Sequence, residues 1–211
     1  VVKLDVVRTV TPGTLTEDHL LEDGVATHLA ACVTDKKGAG IAWVELSTGT
    51  FQVCEVPLDQ LADELDRIDP SEVLIPEGDR SVETNPWEGF VPRSSAQTWR
   101  PDHRFGWDGS RQKLLEFFGV GSLAGFGLED GPDGVPHERL AVGAAGALID
   151  YLQETQLAAL PHIRRIARFQ REGVMHLDRA TRQSLELVAT HRGDGTPLLG
   201  VLDETKPPMG R

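Results

Sequence analysis

Between residues 26 and 56 the chain shows short bursts of alternating apolar and polar positions, separated by turn-forming residues. Within 38–56, Ile41, Trp43 (or its neighbour Val44) and Leu46 alternate with smaller or polar residues. Ser47, Thr48 and Gly49 then supply turn chemistry, and Phe51, Val53 and Val56 resume a strand-like run. The pattern predicts a β-hairpin. Residues 26–33 are also strand-like and are separated from Ile41 by the polar turn 34–40, so three consecutive strands form an antiparallel meander. Such a sheet needs a cover. Leu58, Leu61, Leu65 and Ile68 recur at near-helical intervals, with Asp59, Asp63, Glu64 and Asp66 on the other faces and Asp69-Pro70 as a stop. This spacing predicts an amphipathic helix lying on the meander. The apolar run 72–76 has the form of a buried strand added parallel to the sheet through that helix.

The flanks are read in the same way. Residues 3–10 alternate enough for a strand ended by Thr11-Pro12-Gly13-Thr14, and residues 16–18 open a short helical turn. Residues 77–108 are rich in Gly, Pro, Ser and Trp, which predicts loops with one weak strand at 97–100. A helix is expected over 110–118, ended by Gly119, then a turn or short helix over 121–129 and a loop over 131–136. Residues 137–156 are apolar nearly all round, as in a long, largely buried helix. Residues 163–169 alternate Ile163, Ile166 and Phe169 with Arg164, Arg165 and Arg168, and Arg171, Arg179 and Arg182 continue the basic stretch. This change in charge places a domain boundary near residue 165. Beyond it the pattern predicts a short strand at 174–177 and a helix capped by Asp178 that runs through Ala180, Leu185, Leu187 and Val188. Gly193-Asp194-Gly195 breaks that helix, and residues 198–202 begin another. The fold class is α/β.

Composition narrows the function. With 211 residues the chain holds one generous domain, or one domain and part of another. A net charge of -12 argues against a free-standing nucleic-acid binder, which needs an excess of Lys and Arg on some face. Cys32 and Cys54 sit in apolar strand-like runs, away from any CxxC or Cys/His spacing, and read as buried thiols of a reducing cytosol. No secretory signal is visible, nor an apolar run near the roughly 20 residues of a membrane span, so a soluble, cytoplasmic protein is expected. The chain starts at Val1 and stops just after Pro207-Pro208-Met209-Gly210, as an excised fragment would.

The order meander, helix, parallel strand is that of the ribonuclease H-like fold, which raises a metal-dependent nuclease. That chemistry needs clustered carboxylates with one in the middle of the first strand. Here that middle is Leu29-Ala30-Ala31-Cys32, leaving Glu45 and Glu64. The seven histidines are scattered without metal-ligand spacing. No G-x-S-x-G elbow is present, and Gly143-Ala144-Ala145-Gly146 lacks the spacing and lysine of a phosphate cradle. The arginines of 164–182 could contact phosphates, but Glu172, Asp178 and Glu186 dilute them and no aromatics are interleaved. By chemistry alone this is a non-catalytic module.

Several segments, in order, resemble the bacterial DNA mismatch-repair protein family MutS. Val6-Val7-Arg8-Thr9-Val10-Thr11-Pro12-Gly13-Thr14 resembles the approach to its connector domain. Residues 41–51 are similar to its hairpin "G-x-A-x-L-D-x-S-T-G-x-F", and 65–76 to "L-x-R-x-x-P-x-E-L-L-x-P". Leu123-Ala124-Gly125-Phe126-Gly127 is similar to "L-x-G-F-G", 151–163 to "Y-x-x-x-T-Q-x-x-x-L-P-H-I", and 177–187 to "L-D-x-A-T-R-x-N-L-E-L". Val201-Leu202-Asp203 with Pro208-Met209-Gly210-Arg211 is similar to "L-D-x-T-x-T-x-M-G-x-R". Ser184 stands where the family usually has Asn, and Lys206-Pro207-Pro208 departs from its usual pattern.

The resemblance implies a ribonuclease H-like connector domain over 1–167, a mixed sheet with an antiparallel meander and flanking helices. It implies over 168–211 the mainly helical start of the core or lever domain. It implies a non-catalytic connector that passes allosteric signals between mismatch recognition and the ATPase and offers a docking surface to MutL, with Arg111, Gln112 and Lys113 on that surface. The mismatch-reading domain would precede Val1, and the clamp and Walker ATPase would follow Arg211. No cofactor is expected in this stretch, ATP and Mg being bound elsewhere in the full-length family. Mismatched duplex DNA is met through the parent protein, a homodimer. A residual ribonuclease H-type nuclease and a DNA-backbone-binding module through residues 164–182 stand as alternatives.

Overall fold

A computed structural model of the chain describes residues 11–14, 27–78, 85–128, 138–155, 160, 162–170, 175, 177, 179–187 and 195–202. The expected strand at 3–10, the turn at 16–18, the loop at 131–136, Asp178 and the Gly193-Asp194 break lie outside these residues, as do positions 174 and 176 of the strand expected at 174–177, whose described residues Met175 and Leu177 are in no strand.

The meander forms as its alternation requires. Strands β1 (His28–Thr34), β2 (Ala39–Glu45) and β3 (Thr50–Val56) pair antiparallel, with Cys32 opposite Ile41 and Ile41 opposite Cys54. The first turn is tied by Asp35, whose Oδ1 accepts the N–H groups of Lys37 and Gly38 at 2.7 and 3.0 Å. Helix α1 (Leu61–Ile68) follows a 3-10 turn at Leu58–Gln60 and buries Leu61, Leu65 and Ile68. It stops at Asp69, in the left-handed region with φ 48°, a conformation Asp tolerates better than most residues. Because the first expected turn is 3-10, Leu58 falls out of phase and stays 38% exposed.

Strand β4 (Glu72–Pro76) then pairs parallel to β1, and β5 (Ala96–Arg100) parallel to β4. With β6 (Ala167–Arg168) at the far edge, the six-stranded order is β5-β4-β1-β2-β3-β6. A meander followed by a crossover helix and a parallel strand is the ribonuclease H-like arrangement expected from the pattern.

Both faces of the sheet are covered. On one, Leu29, Ala31, Ala42, Val44, Phe51, Val53 and Leu74 pack under helices α2 (Trp107–Phe118) and α3 (Arg139–Thr155). On the other, Ala30, Cys32, Ile41, Trp43, Cys54, Val73 and Ile75 pack with α1, Trp87 and Val91. This three-layer packing explains why β2 is buried at every position but its last. Trp43 and Val44 are both core residues, of opposite faces. Cys32 and Cys54 are free and buried. They flank Ile41 on one face, about two strand spacings or ~10 Å apart, beyond disulfide reach. Burial pushes the Cys32 thiol up.

Helix α3 is drawn close to the sheet. A Cβ on Gly40 would lie 2.1 Å from the Leu140 carbonyl carbon, so only glycine admits the helix here. Glu55 Oε1 accepts the N–H groups of Leu140 (2.6 Å) and Ala141 (3.1 Å). These are orphan donors of the first turn, capped across the sheet. Leu148, Ile149 and Leu152 are fully buried, each worth about 1.5–3 kcal/mol of transfer free energy.

Helix α2 starts at Trp107, three residues before the expected 110, because Gly109 does not stop it; a 3-10 turn, Asp102–Phe105, leads into it through the extended Gly106. It ends at Gly119, φ 64°, whose N–H reaches the Leu115 and Glu116 carbonyls. A 3-10 turn at Ala124–Phe126 follows. In the alternating run 163–169, Ile163 and Ile166 are buried, but the strand proper, β6 (Ala167–Arg168), is short and pairs parallel with β3. Phe169 N–H also donates to the Val53 carbonyl at 2.8 Å. The sheet thus runs across the expected boundary at 167/168. Beyond it lie α4 (Arg179–Ser184), shorter than expected, and α5 (Leu198–Leu202). Among the described residues no helix is long and apolar enough to cross a membrane.

Candidate functional site

The surface of interest is α2 and what fixes it. Its approach to α3 is set by glycine: a Cβ on Gly146 would lie 2.2 Å from Ser110 Cβ, and one on Gly143 would lie 2.4 Å from the Phe105 carbonyl oxygen. The two glycines that fail as a phosphate cradle are the contact points of the helix pair. Ser110, 2% exposed, has its hydroxyl 3.2 Å from the carbonyls of Arg104 and Gly143. At the far end Phe118 meets Phe117, Phe126 and Phe51 at ring-centroid distances of 5.0, 5.1 and 6.4 Å.

With Leu114 buried against α3, one stripe of α2 faces outward: Asp108, Gln112 and Glu116, all exposed and one helical turn apart. Gln112 Nε2 donates to Glu116 Oε1 at 2.7 Å. The three residues expected on the docking surface do not share this stripe. Gln112 lies on it, Arg111 is partly buried beside it, and Lys113 turns inward to Asp150.

Asp150 is 4% exposed and sits in the apolar helix α3. A carboxylate there must be paired, and it draws Lys113, Arg104 and, at 3.5 Å, Arg100. Glu154, one turn on, meets Arg100 at 2.5 Å and Arg104 at 3.4 Å. Arg100 also stands 5.4 Å from the Tyr151 ring. Burial, then the nearby Arg104 and Arg100, lower the Lys113 ammonium; Glu154 and Glu116 oppose this. Sequence reasoning missed this group. The signal available was an acid at position 150 in an otherwise apolar helix. Beside it lies a cavity of about 210 Å³ lined by His103, Arg104, Gly109, Lys113 and Asp150 among others.

A second buried acid fixes the incoming chain. Glu72, 1% exposed, accepts hydrogen bonds from the Tyr151 hydroxyl (2.7 Å), the Thr98 hydroxyl (2.6 Å) and the Gly13 N–H (2.9 Å). Gly13 has no room for a side chain, since its Cβ would lie 2.7 Å from Leu29 Cδ1. Burial pushes the Tyr151 hydroxyl up to about 12, and its hydrogen bond to Glu72 acts in the same direction.

The carboxylates considered for nuclease chemistry are engaged elsewhere. Glu45 accepts the hydroxyls of Ser47 and Thr48, each at 2.8 Å, in the hairpin turn. Glu64 holds Arg67 at 2.6 Å. Among the described residues no three His, Cys, Asp or Glu side chains are grouped to hold a metal ion. In the basic stretch, Arg164 and Arg165 are exposed while Arg168 pairs with Glu138.

A profile of the family described as MutS domain II matches residues 27–164. The chain belongs to the MutS domain II family. The matched span of this MutS domain carries β1 to β5 and α1 to α3, which includes the α2–α3 pair and both buried acids. The family places the chain in DNA mismatch repair. Among solved structures it is similar to the fowlpox virus Holliday junction resolvase, with 11% identity and a TM-score of 0.41 over 61% of this chain and 99% of that one.

Proposed function

We propose that this MutS domain is a non-catalytic connector, which passes conformational signals between mismatch recognition and the ATPase of its parent protein and offers the outer stripe of α2 to MutL. One observation carries the reading: α2, the incoming chain and the outgoing chain are all fastened to one sheet. α2 is held through Gly146 and Asp150 of α3, the incoming Pro12–Thr14 turn through Glu72, and the outgoing chain through β6 on β3. A body fastened in this way carries α2 along when either end is displaced.

In this reading residues 1–167 form the connector and 168–211 begin the core or lever domain. ATP, magnesium and mismatched DNA act on the domain through other parts of a homodimeric cytoplasmic MutS. Gln112, rather than Lys113, makes the central docking contact, with Arg111 at its flank. In the parent MutS, Gln112→Lys should weaken recruitment of MutL while leaving mismatch binding and ATP hydrolysis unchanged. Unaltered recruitment by a folded Gln112→Lys, Glu116→Lys double variant would contradict the placement.

A further inference from the structure

We propose that the cavity between α2, α3 and the 3-10 turn at Asp102–Phe105 is a binding site for a phosphoryl group, held by Arg104 and Lys113 with Arg100 behind them. Donors outnumber acceptors in this group. Arg100, Arg104 and Lys113 converge on two carboxylates, Asp150 and Glu154. Two guanidinium groups and an ammonium offer roughly thirteen N–H donors, against about eight acceptor sites on two carboxylates. Accordingly Arg100 Nε and Arg104 Nε are buried with no hydrogen-bond partner. Asp150 and Glu154 leave one of the three positive charges over, with Glu116 near Lys113 as a further, exposed carboxylate.

Burial and Arg104, with a smaller part from Arg100, disfavour the Lys113 ammonium against the pull of Asp150, Glu154 and Glu116. An added anion would offset that effect. The group is also reachable from solvent. Arg104 and Lys113 keep 35% and 31% of their side chains exposed, and both line the cavity of about 210 Å³. Its wall at Gly109 is open, with nothing within 4 Å of where a Cβ would stand, and His103 is exposed at the rim. The volume is that of several waters, enough for a phosphate. An arginine fork beside a lysine suits a phosphoryl group, which accepts two parallel N–H bonds and carries the higher charge. The site stands apart from the outer stripe of α2, so it does not depend on the docking reading.

The test uses the full chain and inorganic phosphate, titrated against chloride at equal ionic strength, with backbone amide shifts as the readout. Saturable shifts of Gly109, Ser110 and Lys113 are expected. Two variants should act with opposite sign. Arg104→Gln removes a ligand and should weaken binding about tenfold, the scale of one charge-assisted hydrogen bond, with Lys113→Gln taking its place if that variant does not fold. Glu154→Gln, at an acid 42% exposed, removes a competing carboxylate and should tighten binding. A nucleoside monophosphate and a short DNA duplex as competitors separate the sources: displacement by the first alone assigns a free phosphate compound, and displacement by the duplex assigns a backbone phosphate. Absence of saturable shifts in the folded chain, shifts reproduced by chloride, or the two variants changing affinity in the same direction would overturn the site and leave the cluster as a brace between α2 and α3.

Discussion

At Gly40 a single methyl group decides whether α3 can lie on the sheet, because the atoms in its way belong to the α3 backbone rather than to a flexible side chain. Gly40→Ala should therefore lower unfolding free energy by about 2–4 kcal/mol, measured by denaturant melts; a loss under ~0.5 kcal/mol would contradict the close approach. Tyr151 allows a cleaner check, since it is the one tyrosine of the chain. Its folded hydroxyl is raised to about 12, against an ordinary value near 10. The unfolded chain thus gives up this proton first as pH rises. The group's contribution to stability is full below pH ~10 and is lost as pH climbs through about 12. An alkaline titration of tyrosinate absorbance should show one transition near 12 in the native chain and near 10 in urea. A native transition near 10 would mean that the hydroxyl is not buried against Glu72.

Elements differ in how far the sequence betrays them. The meander was readable from its short apolar bursts between turn residues, α1 from its helical spacing, β4 from a bounded apolar run, and α3 because nearly every position is apolar. The start of α2 was not, since Gly109 looks like a loop residue until packing on α3 supports the helix through it. Nor was the direction of Lys113, which is set by Asp150, 37 residues along the chain; local pattern places Arg111, Gln112 and Lys113 together, and a distant carboxylate separates them. The short β6 was hidden for a related reason. Its hold on the sheet comes from Phe169, which meets Trp43 edge-on at 5.6 Å, with the Arg67 guanidinium 4.1 Å from its ring. Phe169→Ala should cost about 1–3 kcal/mol and speed tryptic cleavage after Arg165 and Arg168, the β6 strand being released first. Unchanged cleavage would show that backbone pairing with β3 suffices.

In a chain of net charge -12, described basic residues occur in small, separate settings, among them the Asp150 group, the Arg67 stack and the exposed Arg164 and Arg165. In the proposed function the domain moves as one body and its outer α2 stripe meets MutL. The direct test is a titration of the isotope-labelled chain with the N-terminal region of the cognate MutL, following backbone amide shifts. Asp108, Gln112 and Glu116 should shift together and Gln112→Lys should abolish the response, while Lys113→Gln leaves the outer stripe responsive. Shifts centred elsewhere, or no shifts from a chain shown to be folded, would contradict it.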